Sequence, residues 1–247
     1  MNKKSKSVKE AGNQLWSSFK FPAIFVALLW LVRIAEKVTE TMINFDFNWL
    51  GVYPRRIAGL KGILFYPLIH GDFQHLFSNS VPLLVLGFLL FQSYRKVAWQ
   101  TFAFIYFISG AMVWAFANPA GNASFHIGAS GLVYGLAFFV FFSGIFRRDI
   151  RSIALSLLVA FLYGGIIWGV LPIYEGVSWE GHLFGALAGT FCAWRYREIN
   201  KIEKKEWKED PEPKEIVEDP FWVKKPPVVE ESTSSTTPVP TLSLIHI

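Results

Sequence analysis

Ser130 lies between glycines in the stretch HIGASGLVYG, residues 126–135, at the mouth of a long apolar run. A serine hydroxyl becomes a nucleophile only beside a base, and imidazole is the natural base near neutral pH. His70, His75, His126 and His182 each stand near the start of an apolar run, and so does Asn79. Acyl transfer also needs donors for a developing oxyanion. The unpaired N–H groups at a helix start can supply them, and so can side chains such as His75 and Asn79. Each residue also has a plainer reading. An isolated serine in a membrane helix usually bonds the preceding turn or a neighbouring helix. A lone histidine at a helix end is usually an interfacial polar residue. His75 and Asn79, four residues apart, share a helix face, which also suits a simple interhelical hydrogen bond.

The elements that must position these residues are membrane helices. The chain has 247 residues, of which 52% are hydrophobic, and its mean hydropathy is +0.34. No Asp, Glu, Lys or Arg occurs in 73–94, 97–146 or 152–174. A membrane helix needs about 20 apolar residues, so these runs demand several spans. Six helices are expected, at 19–38, 74–93, 98–117, 128–146, 151–170 and 180–197. The first is not read as a cleaved signal, because no small-residue cleavage site follows it while Arg33, Glu36 and Lys37 do. The loop 39–73 carries Arg55, Arg56 and Lys61 among many aromatics and is expected to lie partly in the membrane interface.

Basic residues set the expected orientation. Lys3, Lys4, Lys6, Lys9 and Lys20 precede the first helix or open it. Arg95 and Lys96 join the second and third, Arg147, Arg148 and Arg151 join the fourth and fifth, and Arg195 and Arg197 end the sixth. Both termini are therefore expected in the cytoplasm. The formal net charge of +5 reflects this arrangement and not nucleic-acid binding, for which stacking and groove-reading motifs are lacking. The single cysteine, Cys192, has no partner for a disulfide or a CxxC site.

On this topology the second, fourth and sixth helices begin on the same side, and the polar residues cluster at their starts. Gly185 and Gly189 form a GxxxG pair that brings the sixth helix close to a neighbour. Gly128, Gly131 and Gly135 make the fourth helix that neighbour, which carries His182 toward Ser130. Tyr134, one turn after Ser130, shares its face and can pack on the imidazole. A metal site fits less well: there is no HExxH, and Ser130 and Asn79 would have no role. No carboxylate lies within these helices beyond Glu180 at the start of the sixth, so a serine–histidine dyad is expected in place of a triad.

These motifs resemble those of the rhomboid intramembrane serine proteases over residues 20–197. They are His70, His75 and Asn79; Gly128, Ser130, Gly131 and Tyr134; then Gly181, His182, Gly185 and Gly189. The resemblance implies an all-α, polytopic, six-transmembrane-helix bundle that cleaves transmembrane segments of membrane proteins near the outer face. It implies Ser130 as nucleophile and His182 as general base and acid. The Ser130 amide, His75 and Asn79 would form the oxyanion site, Tyr134 would stack on His182, and Gly128 would leave room near the substrate. His70 would help to shape the cavity. The fifth helix and the loop after it would gate access. No cofactor or metal is implied; the partners are the lipid bilayer and transmembrane substrates. Many family members carry a Trp-Arg pair in the first loop, where Lys61-Gly62 stands here, with Arg55-Arg56 upstream. The alternatives are a non-catalytic rhomboid-like chaperone or adaptor, which usually lacks the serine or the histidine, and a transporter, which more often has more spans.

The domain reading is a cytoplasmic segment 1–18, the membrane domain 19–197 and a charged, Pro/Ser/Thr-rich tail 198–247. That tail cannot bury enough apolar surface to fold and is expected to be disordered and cytoplasmic. Its last six residues, LSLIHI, translate the end of a sequencing-library transposon adaptor and are read as a scar; the other reading is an ordinary apolar end. A bacterial inner membrane suits the short form without an organelle presequence.

Overall fold

The computed structural model describes residues 3–118, 125–173 and 178–199. They form α1 (Lys3–Ile43), α2 (Gly62–Phe65), α3 (Phe73–Ser93), α4 (Ala98–Phe116), α5 (Ser130–Arg147), α6 (Ile150–Tyr163) and α7 (Trp179–Arg195). A 3-10 segment, Gly164–Val170, continues α6. Five of these helical segments are long and apolar enough to cross a membrane. The sixth long helix, α7, has 17 residues and spans about 26 Å, near the lower limit for a membrane crossing. The chain is thus an all-helical, multi-pass integral membrane protein.

The expected helices are present, with corrections at their ends. α1 is longer than the expected 19–38 on both sides, with no break at residue 18. Its charges do not end it: good helix formers continue the chain, and Arg33–Glu36 and Lys37–Glu40 pair along the helix at 3.3 and 3.2 Å. The fourth expected helix begins at Ser130 instead of 128, because Gly128 adopts φ +104°. The fifth is α-helical only to Tyr163 and then tightens to 3-10 geometry at Gly164-Gly165. The tail from residue 200, with the expected scar at 242–247, lies outside the described residues.

α5 occupies the centre. Its Leu132, Leu136, Phe139 and Val140 pack with Leu76, Leu83, Leu86 and Leu90 of α3 and Ile105 of α4, all nearly inaccessible. α6 is peripheral: only Ser152, Ser156 and Val159 are buried within it. α5 and α7 meet backbone to backbone. A Cβ on Gly185 would overlap the Gly131 carbonyl, and one on Gly189 would overlap that of Gly135. Close approach of small residues is how helices associate where no water drives them together.

α3, α5 and α7 run in the same direction, and their basic C-terminal ends are clasped together. Arg147 pairs with Asp149 at 3.1 Å and donates to the Ile199 carbonyl at 2.7 Å. Arg95 reaches Ser17 at 2.9 Å. At the opposite end, the segment between α1 and α3 folds over the bundle. Val52 and His126 exchange backbone hydrogen bonds of 2.9 and 2.8 Å, while Ile57, Leu60 and Leu64 remain exposed.

Candidate active site

Ser130 is the first residue of α5. The turn before it depends on Gly128, whose positive φ suits glycine, and a Cβ there would lie 2.7 Å from Cε1 of His75. Gly128 therefore makes room for the His75 imidazole. α3 and α7 are each capped by a side chain, Asp72 accepting from the His75 amide and Ser178 from the Gly181 amide. α5 has no side-chain cap. Its first N–H groups, at Ser130, are thus not claimed by a cap and carry the positive end of the helix dipole.

His182 lies on the first turn of α7, largely buried. Its Nε2 is 2.8 Å from Ser130 Oγ, and its Nδ1 is 2.8 Å from the Gly169 carbonyl oxygen. A carbonyl can only accept, so Nδ1 carries the proton and donates. Nε2 is then the lone-pair nitrogen that faces the serine hydroxyl. Tyr134 stacks on the ring, with centroids 4.1 Å apart and planes 6° from parallel. Position, tautomer and ring plane of the imidazole are each set by a different element.

α3 supplies the other polar groups. Asn79 is 5% exposed, and its Nδ2 has no hydrogen-bond partner among the described residues. A buried amide donor without a partner is costly. His75, four residues earlier, is partly exposed and lies against Gly128. His70 is buried at 1% exposure. Its Nδ1 is 3.4 Å from the Leu68 carbonyl, and its Nε2 accepts the Ala129 N–H at 3.4 Å. Burial pushes its pKa down to about 4, with the neighbouring His75 adding to the shift, so it is neutral and holds the backbone just before Ser130. His126 is not part of the dyad. Its Nδ1 is 2.6 Å from Ser178 Oγ, which ties the approach to α5 to the start of α7.

A model of the rhomboid domain matches residues 58–199, more than half of the chain. The chain belongs to the rhomboid family. Uncharacterized proteins of Mycobacterium bovis and Mycobacterium tuberculosis are each 40% identical over 176 residues, covering 69% of this chain and 71% of theirs. One of Mycobacterium leprae is 37% identical over 176 residues, covering 69% of this chain and 68% of its own. α1 lies outside the matched rhomboid domain.

Sequence reasoning about this rhomboid missed three contributors. Gly169 reads as one glycine in an apolar helix; a Cβ on it would overlap the Tyr134 hydroxyl and lie 3.2 Å from His182 Nδ1. The Gly164-Gly165-Gly169 spacing was the available signal that the helix does not continue regularly. Ser178 reads as loop polarity but caps α7 and holds His126. In the first loop, Lys61 lies 3.6 Å over the ring of Trp49, so a tryptophan–cation pair forms from residues distant in sequence. Arg55 donates to the Ala117 carbonyl at 3.3 Å.

Proposed function

We propose that this rhomboid is an intramembrane serine endopeptidase with a Ser130–His182 dyad. The observation that supports it most is the arrangement of His182, with Nε2 facing Ser130 Oγ and Nδ1 held by the Gly169 carbonyl. In the proposed reaction His182 Nε2 takes the proton from Ser130 Oγ as the oxygen attacks the scissile carbonyl carbon. The resulting oxyanion takes hydrogen bonds from the Ser130 N–H, Asn79 Nδ2 and His75. His182 then protonates the leaving amine as the C–N bond breaks. Water, activated by the same imidazole, releases the acyl group and restores the hydroxyl. The Gly169 carbonyl does the orienting work of a carboxylate without its charge.

The substrates on this reading are transmembrane segments of other proteins, which the lipid-exposed α6 would admit from the bilayer. The basic ends of α3, α5 and α7 support a reading in which those ends are cytoplasmic; on it Ser130 and His182 would face the outer side and cleavage would occur near the outer surface.

Labelling by a serine-reactive fluorophosphonate tests the reading. The wild-type protein in proteoliposomes should label, and Ser130→Ala and His182→Ala should not. A correctly folded wild type that stays unlabelled would instead favour a rhomboid-like chaperone or adaptor.

A further inference from the structure

Arg33 and Glu36 form an ion pair within α1, 3.3 Å from Nη1 to Oε2, with side chains 11% and 4% exposed. Arg33 Nε and Glu36 Oε1 have no hydrogen-bond partner among the described residues. Charges buried at membrane depth are costly and are retained for a reason. The pair lines a polar cavity of about 290 Å³ with Asp46, Asn48, His70 and Gly71. Glu36 and His70 stand on the wall of this same cavity, with the His70 backbone N–H near the carboxylate and not hydrogen-bonded to it among the described residues. From there the contacts lead to the dyad. His70 accepts the Ala129 N–H, its ring centroid is 5.1 Å from that of His75, and Ser130 is the next residue in the chain.

We propose that Glu36, held by Arg33, is a positioning residue for the Ser130 oxyanion site. Its charge acts on the His70 backbone dipole across the shared cavity wall and so biases where that backbone sits. The His70 imidazole in turn fixes the Ala129 amide and backs His75, and so sets where the Ser130 N–H and the His75 ring meet the substrate. The inference rests on the protease reading of Ser130. It assigns α1, which lies outside the matched rhomboid domain, a part in the chemistry as well as in the bundle.

The competing account is that the pair only ties α1 to its neighbours. Replacing a buried ion pair by apolar residues of similar size is often neutral or stabilising, which separates the two. In the full reconstituted chain, Arg33→Met/Glu36→Met should melt at or above the wild-type temperature. Its kcat should fall about ten- to a hundredfold, with KM within about twofold of wild type, and fluorophosphonate labelling should slow in parallel. Arg33→Met/Glu36→Gln, which restores an acceptor without charge, should recover part of the loss. The His70 ¹⁵N resonances should shift in the first double variant and move back in the second. A folded Arg33→Met/Glu36→Met protein with wild-type kcat would overturn the inference. If the wild type neither labels nor cleaves, the protease reading fails by itself. The His70 resonances then decide the positioning role: unchanged in the double variant, they overturn it.

Discussion

The Gly169 carbonyl accepts a 2.8 Å hydrogen bond from Nδ1 of His182, on the opposite side of the ring from Ser130. The acceptor belongs to the 3-10 continuation of α6, the least buried of the long helices. The His182 imidazole is therefore oriented by the segment that lies most open to lipid.

Gly169→Ala should reduce kcat about ten- to a hundredfold, because a small displacement of a reacting group carries such a cost. The new Cβ would collide with the Tyr134 hydroxyl and press on His182 Nδ1. Helix content and bilayer insertion should be unchanged. Steady-state cleavage beside circular dichroism checks this; wild-type kcat in a folded variant would remove Gly169 from the site.

Asn79→Ala should lower kcat about 10²–10³-fold, the usual effect of one lost oxyanion donor, with little change in KM. Stability should hold or rise, since the substitution removes a buried donor that has no partner among the described residues. Opposite movement of kcat and melting temperature is the signature to look for. A change confined to KM would make Asn79 a binding or structural residue.

Gly185→Ala and Gly189→Ala should each destabilise the protein by about 1–3 kcal/mol, as overpacking does. Their methyl groups meet the backbone of α5, which has no side chain to move aside. Separation of α5 from α7 also separates Ser130 from His182, so activity should fall with stability. Thermal unfolding in detergent, paired with cleavage rates, measures both.

His70 gives a pH dependence of stability. Its folded-state pKa of about 4 lies below the ordinary imidazole value of 6.5, because burial disfavours the charged imidazole. The unfolded chain therefore binds the proton more readily. The contribution is fully present above pH 6.5 and is lost as pH falls toward 4. Burial also pushes the His126 pKa down, which acts on stability in the same direction. Melting temperatures over that window should fall more steeply for wild type than for His70→Gln.

The sequence made the membrane architecture legible because uncharged runs and flanking basic residues follow directly from the cost of charge in lipid. Ser130, His182, Tyr134 and the glycine pairs were legible because their spacing on helices fixes their faces, and the structure brings these residues together. What escaped sequence reading was carried by backbone groups. The Gly169 carbonyl leaves no side-chain signature, and the uncapped start of α5 is evident only beside the Asp72 and Ser178 caps. Arg33 and Glu36 looked like the boundary of a span. Their burial depends on the loop and on α3 folding over the end of α1.

The proposed chemistry is tested most directly by cleavage of a panel of tagged single-span proteins, co-reconstituted with this rhomboid in proteoliposomes and analysed by mass spectrometry of the fragments. The expected result is a cut near the outer end of at least one substrate helix. Cleavage should be abolished by Ser130→Ala and by His182→Ala, with no further loss when the two are combined, since nucleophile and base act as a unit. Normal turnover by a well-folded Ser130→Ala protein would contradict the serine mechanism.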